Sequence, residues 1–367
     1  MKKELVMSEK LRVGVLGATG MVGQRFITLL ENHPWFEVTT VAASPSSAGK
    51  TYAEAVEGRW KMETPVPAGV KDLVLKNVNE VDNVAADVDF VFSAVNMSKD
   101  EIRAIEEAYA KTETPVVSNN SAHRWTPDVP MVIPEINPGH TDVIPFQRKR
   151  LGTTRGFVAV KPNCSIQSYT PALSAWLDFK PYEAVVSTYQ AISGAGKTFK
   201  DWPEMEGNII PFISGEEEKS EKEPLRIWGE VKNGVIEPAD FIKITSQCIR
   251  VPILYGHTAT VFVNFHEKPT KEELIKKLEE FSGVPQELHL PSAPEHFIRY
   301  MTEDDRPQVR LDVNYERGMG VTIGRLREDS LFDWKFVGLS HNTARGAAGG
   351  GVLFAELLKA QGYIEKK

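Results

Sequence analysis

The chain has 367 residues, more than one hydrophobic core usually fills, so two domains are expected. It carries 41% hydrophobic and 25% charged residues, a formal net charge of -7 and no long basic run, a composition of globular type that argues against a nucleic-acid partner. The opening MKKELVMSEK lacks the apolar core of a signal peptide, and two cysteines, Cys164 and Cys248, are too few for a disulfide scaffold. With no run of about 18 apolar residues either, a cytoplasmic protein without membrane contact is expected.

In chain order, residues 11 to 16 (LRVGVL) read as a buried strand, and the stretch from Met21 to Asn32 places Val22, Phe26, Leu29 and Leu30 at helical spacing. Strands are expected again from Glu37 to Ala43, Val88 to Val95 and Pro115 to Ser118, the alternation of a parallel, doubly wound sheet. Beyond about residue 160 the candidates become longer and amphipathic: Ala184 to Ile192, Thr258 to Phe265, Gln308 to Val313, Val321 to Leu326 and Trp334 to Leu339. Such strands suit a mostly antiparallel sheet with one face covered. Glu216 to Glu223 (EEEKSEKE) is the densest charge run, and its plainest reading is a solvated helix face. Thr270 and Glu273 make a capping box ahead of an apolar stripe of Leu274, Ile275, Leu278 and Phe281. A last helix is expected from Gly349, ending at Gly362. The fold class is therefore α/β: an N-terminal parallel sheet plus an α+β domain with a mostly antiparallel sheet.

Gly17, Gly20 and Gly23 follow the first strand and open the first helix. Glycines there let the backbone approach a pyrophosphate, whose charge sits against the free N–H groups and positive end of the helix, as in Rossmann-type domains. The spacing is GxxGxxG, which a ligand-free structural turn also satisfies. Where an NAD site commonly places an acidic residue, the second strand runs into Ala43-Ser44-Pro45-Ser46-Ser47-Ala48-Gly49-Lys50. Hydroxyls and a lysine suit a 2'-phosphate, so NADP is the expected cofactor.

Cys164, in Lys161-Pro162-Asn163-Cys164-Ser165-Ile166-Gln167, precedes a segment of helical character, and a helix N-terminus favours the thiolate needed for acyl chemistry. A buried, inert cysteine is the competing reading. His257 in RVPILYGH is a candidate partner, and Arg250, seven residues upstream, could fork onto a substrate carboxylate. Cys248 reads as packing. Ala191-Ile192-Ser193-Gly194-Ala195-Gly196-Lys197-Thr198 approaches a P-loop, but Phe199 to Pro211 has two prolines and no helical stripe, which argues against a kinase or nucleotidase. A redox-sensing NADP-binding protein would need no nucleophile at all.

GATGMVG, ASPSSAGK, SNNSAHR, PNCSIQ, TYQAISGAGK, the EEEK run, RVPILYGH and HNTARGAAGG, in that order, resemble the aspartate-β-semialdehyde dehydrogenases of archaea and fungi over nearly the whole chain. The resemblance implies an NADP-binding domain over residues 1–160, a catalytic and dimerisation domain over 161–340, and a C-terminal helix over 341–367 returning to the first. It implies Cys164 as nucleophile and His257 as general acid/base. Arg250 would hold the substrate carboxylate, Gln190 would orient the acyl group, Asn163 would contact the substrate, Arg124 would bind the phosphate, and Glu216 and Lys219 would contact the amino group and the phosphate. NADP would contact Gly17, Thr19, Gly20, Met21, Val22, Ser44, Ser47, Ser193, Gly194 and, at its nicotinamide end, Asn342; no metal is implied. The implied activity is conversion of β-aspartyl phosphate to aspartate β-semialdehyde through a Cys164 thioester, in biosynthesis of lysine, threonine, methionine and isoleucine, by a homodimer or homotetramer. N–H groups at the start of the helix bearing Cys164 are the expected oxyanion donors. Two related activities share the thioester chemistry: malonyl-CoA reductase, with coenzyme A as the leaving group, and N-acetylglutamyl-phosphate reductase, whose acylated substrate leaves Glu216 without an ammonium partner.

Overall fold

The computed structural model describes residues 9–367. The signal-peptide expectation concerns mainly residues 1–8, outside the described residues. No helix among those described is long and apolar enough to cross a membrane. The contacts divide the chain into two compact units, one made of the residues up to 122 together with 148–159 and 358–367, the other of 123–147 and 160–357.

The first unit is built on β1 (Leu11–Leu16), β2 (Phe36–Ala43), β3 (Lys76–Asn77), β4 (Phe90–Ser93), β5 (Val116–Ser118) and β6 (Val158–Val160). They lie in the order β3-β2-β1-β4-β5-β6, with β1 to β5 paired in parallel. β4, β5 and β6 are short and wholly buried, which leaves no place for alternation, whereas β2 begins with an exposed Glu37 between buried Phe36 and Val38. Helix α1 (Met21–Leu30) stops two residues short of the expected end, and its Phe26 stacks on Phe92 of β4 with ring centroids 4.4 Å apart. A fully buried aromatic of this kind contributes about 1.5–3 kcal/mol. Strand order reverses between β1 and β4, the position where such sheets open a ligand crevice. Gly17 turns the chain there at φ +77°, and a side chain on it would collide with the Ala94 carbonyl beyond β4.

The second unit carries β7 (Pro181–Gln190), the hairpin β8 (Glu230–Lys232) and β9 (Val235–Glu237), then β10 (Lys243–Arg250), β11 (His257–Phe265), β12 (Ile298–Tyr300), β13 (Val321–Glu328) and β14 (Trp334–Ser340). Its large sheet runs β10-β7-β11-β14-β13-β12. The three central pairings are antiparallel, while β7 with β10 and β12 with β13 are parallel. The expected capping box holds: the Thr270 hydroxyl accepts from the Glu273 N–H at the start of the helix Lys271–Glu279. Leu274 and Leu278 are buried beneath it, but Phe281 lies beyond its end.

The strand expected from Gln308 to Val313 is a short helix, Val309–Asp312. Its alternating Val309, Leu311 and Val313 are not the buried positions. Asp312 is, and its carboxylate accepts from the Gln308 N–H at 2.7 Å and Arg306 Nε at 2.8 Å, closing a helical turn.

A fully buried ion pair anchors the turn after β14: Arg345 donates to both Glu135 oxygens, at 2.9 and 2.6 Å, and through Nε to the Met319 carbonyl at 2.8 Å. Removing one partner of a buried pair strands the other charge, so Glu135→Ala is expected to lower the unfolding free energy by about 3–5 kcal/mol. Urea denaturation checks this, and a loss below about 1 kcal/mol would place the pair among exposed bridges.

Candidate active site

Three expected site residues stand side by side at one end of the second sheet. β7 ends at Gln190, which is in register with Arg250 at the end of β10 on one side and with His257 at the start of β11 on the other. All three are buried. The next peptide, Ala191, orients both neighbours: its N–H donates to His257 Nδ1 at 3.1 Å, and its carbonyl accepts from Arg250 at 2.7 Å. Because Nδ1 accepts, the proton of the neutral ring sits on Nε2. That nitrogen lies 3.4 Å from Cys164 Sγ. Burial and the nearby Arg250 push His257 down to about 3, so the ring is neutral at physiological pH.

Cys164 is partly accessible and sits where the chain enters a four-residue 3-10 turn, Ser165–Ser168. The helix-dipole stabilisation expected from sequence therefore has little helix behind it. Burial and Glu216 push the thiol up, while Lys161, Arg124 and Arg250 oppose them. Nor is the Ser165 N–H open as an oxyanion donor, since it donates to Asn163 Oδ1 at 2.7 Å. Gly346 packs so closely on Cys164 that a Cβ there would come within 2.7 Å of the cysteine Cβ.

The acidic run forms the helix Glu216–Ile227, and only part of it is solvated. Glu216, Ser220, Glu223 and Ile227 are buried at helical spacing, whereas Glu217, Glu218 and Lys222 are exposed. Glu216 accepts from Asn163 at 3.0 Å, Gln190 at 3.2 Å and Lys219 at 2.7 Å. Burial alone would raise its carboxyl, but Lys219, Asn163 and Gln190 outweigh burial and hold it below the ordinary range. Glu223, which the sequence reading named only as the end of the charge run, accepts from Arg124 at 3.0 Å and from the Asn163 N–H at 2.6 Å, tying the arginine to the nucleophile turn. Its only sequence signal is its spacing of seven from Glu216. Arg124, Asn163, Gln190, Glu216 and Lys219 thus join one polar web around Cys164, His257 and Arg250.

Asn342 bonds the Gly256 N–H at 2.8 Å and donates to the Ser193 hydroxyl at 2.8 Å, which brings two expected cofactor contacts together beside His257. Gly194 is adjacent, since a Cβ on it would lie 3.0 Å from Arg250 and 3.3 Å from His257. Cys248 is buried in β10 against the Ser220 hydroxyl, as a packing residue. The P-loop-like stretch leads into no helix: between Phe199 and Gly215 only the short turn Pro203–Met205 is helical.

In the first unit, Gly17, Thr19, Gly20, Ser44, Arg59 and Asn96 are among the residues lining a groove of about 340 Å³ at the strand-order reversal. Met21 and Ser47 are buried, and they and Val22 do not line it. Gly20 differs from Gly17: its φ is −77°, and a Cβ on it would meet only the Gly17 carbonyl at 3.6 Å. Packing therefore does not require a glycine there. Helix α1 begins at this residue without a side-chain cap or an acidic group in its first turn, as an anion site needs. Arg59, which the sequence reading missed, is positioned by Gln24 of α1, whose buried amide donates to the carbonyls of Thr19 at 2.9 Å and Arg59 at 3.0 Å.

Residues 12–144 match the family model described as semialdehyde dehydrogenase, NAD binding domain, and residues 173–345 that described as semialdehyde dehydrogenase, dimerisation domain. The chain is 45% identical over 354 residues to the aspartate-semialdehyde dehydrogenase of Methanothermobacter thermautotrophicus, covering 95% of this chain and 99% of that protein. The chain belongs to the aspartate-semialdehyde dehydrogenase family. A family member from Aspergillus fumigatus is 41% identical over 97% of this chain and 99% of its own length. A crystal structure of the Candida albicans member with NADP superposes with a TM-score of 0.87 at 38% identity, covering 97% of this chain and 100% of that one.

His257 links the stability of the folded chain to pH. Its pKa is about 3 in the folded chain against 6.5 ordinarily. Between those values the unfolded chain binds a proton that the folded one does not, so stability falls as pH drops through this window, by up to about 1.4 kcal/mol per pH unit. Urea unfolding at pH 7 and pH 5 should show a smaller acid loss in His257→Gln than in the wild type; equal losses would refute a neutral buried ring.

Proposed function

We propose that the chain is a cytoplasmic, homo-oligomeric, NADP-dependent aspartate-semialdehyde dehydrogenase that converts β-aspartyl phosphate to aspartate β-semialdehyde and phosphate through a thioester on Cys164, on the route to lysine, threonine, methionine and isoleucine. The observation that carries this reading is the Cys164–His257 pair at 3.4 Å, set between a buried guanidinium and a buried, ionised carboxylate. A free amino acid needs those two charges. Arg250 takes the α-carboxylate and Glu216 the α-ammonium, while Lys219 and Arg124 attract the phosphate. An N-acylated substrate would leave Glu216 buried against an amide instead of a cation.

The thiolate of Cys164 attacks the acyl carbon, the carbon–oxygen bond to phosphate breaks, and phosphate leaves with the electron pair. NADPH held at the glycine turn would supply the hydride needed to reduce the thioester carbon. The resulting oxyanion re-forms the carbonyl as the carbon–sulfur bond breaks, returning the thiolate. With its proton on Nε2, His257 donates to the oxyanion that develops in each half, a role left open by the engaged Ser165 N–H. Asn163 and Gln190 fix the Glu216 carboxylate, and so the amino group, at a set distance from sulfur.

The open space at Gly20 and the uncapped start of α1 support the pyrophosphate site, and Ser44 with Arg59 supports a 2'-phosphate. Gly20→Val should weaken NADP+ binding at least tenfold in titration calorimetry while leaving the unfolding temperature in place. Unchanged binding would remove the ligand argument for this glycine.

The substrate is tested by reduction of NADP+ with aspartate semialdehyde, phosphate and enzyme. Phosphate-dependent reduction, abolished in Cys164→Ser, is expected. A requirement for coenzyme A and malonate semialdehyde would favour the malonyl-CoA reductase chemistry instead, and undiminished turnover by Cys164→Ser would exclude the thioester.

A further inference from the structure

Lys161 has no part in the mechanism above, yet it is buried three residues before the nucleophile. Its ammonium donates to the carbonyls of Pro162 and Gly346, the latter being the residue packed on Cys164. Its own carbonyl accepts from Arg124 Nε at 3.1 Å, so its backbone is held from a second direction. An ammonium buried without a counter-ion is costly, and two carbonyls do not neutralise it.

The charges around it are already committed. Glu223 is engaged by Arg124 and the Asn163 N–H, and Glu216 by Lys219, Asn163 and Gln190. Arg250 is a further cation and His257 is neutral. Of the groups that favour the charged Lys161, Cys164 comes first, ahead of Glu223 and Glu216, so its sulfur, once ionised, is the leading counter-charge.

We propose that Lys161 is a positioning residue for the reaction: its buried ammonium stabilises the Cys164 thiolate and, through the Gly346 carbonyl, holds the turn that packs on it. The inference rests on Cys164 as the nucleophile. The coupling is mutual. Burial and Arg124 push the ammonium down to about 7, and the Cys164 thiolate leads the groups pushing it up. Among the charges acting on Cys164, Lys161 comes first of those that favour the thiolate.

The test is the pH dependence of Cys164 alkylation by iodoacetamide, followed by mass spectrometry in the wild type, Lys161→Met and Lys161→Gln, with unfolding temperatures as a check on the fold. Gln keeps a donor for the carbonyls and lacks the charge. Both variants should move the alkylation midpoint up by about one pH unit or more, a tenfold loss of thiolate at pH 7. A folded variant with the wild-type midpoint overturns the proposal, as does a shift in Met that Gln abolishes, since hydrogen bonding would then suffice. If neither variant folds, the reciprocal measurement decides: the Lys161 ammonium, followed by NMR in isotope-labelled protein, should titrate at lower pH in Cys164→Ala than in the wild type, and an unchanged midpoint refutes the coupling. Alkylation reads the thiolate whether or not it turns over, so a failure here is separable from failure of the thioester reading, which Cys164→Ser reports.

Discussion

The site in the second unit depends on the register of one strand. β7 pairs parallel to β10 and antiparallel to β11, so the end of two strands and the start of a third meet at Gln190, Arg250 and His257. A slip of one residue would turn Gln190 to the opposite face and leave its neighbours without the Ala191 peptide. That peptide uses its N–H to set the tautomer of a histidine and its carbonyl to aim an arginine. Backbone groups do not rotate as side chains do, so both orientations are inherited from the sheet itself.

The charges follow the same economy. Each buried carboxylate of the helix Glu216–Ile227 meets a cation and a donor from the nucleophile turn: Glu216 meets Lys219 and the Asn163 side chain, Glu223 meets Arg124 and the Asn163 N–H. Asn163 is therefore gripped through side chain and backbone by two turns of one helix, which fixes Cys164 beside it. Such a network is worth more than its separate bonds, because loss of any member leaves a buried polar group unpaired.

Much of the fold was legible in the sequence. The apolar run at β1, the alternation at β14, the helical stripe of α1 and the Thr270 capping box each carry their cause within a few residues. The segment 308–313 misled because six residues fit a period of two or a single helical turn equally well, and its buried group is the charged one, Asp312. The hairpin β8–β9 was overlooked although Asn233-Gly234 is a readable turn signal, with both residues at positive φ. At the site, motif order yielded the residue types but not the web joining them. Cys164 and His257 are far apart in sequence, and nothing local marks Glu223, Lys161 or Arg59, whose importance arises only from what folding sets beside them. The dipole argument for Cys164 failed for a related reason: the helix that it required is one short turn.

Two glycines near the nucleophile offer different freedoms. Gly346 abuts the backbone and Cβ of Cys164, so that side of the sulfur has no room to give. Gly194 faces side-chain ends instead of backbone, but these belong to Arg250 and His257, each tethered to the Ala191 peptide, so the give on that side is small. For anyone wishing to adapt this scaffold to bulkier acyl groups, the wall at Gly194 is therefore one that cannot be moved without moving the histidine and the guanidinium.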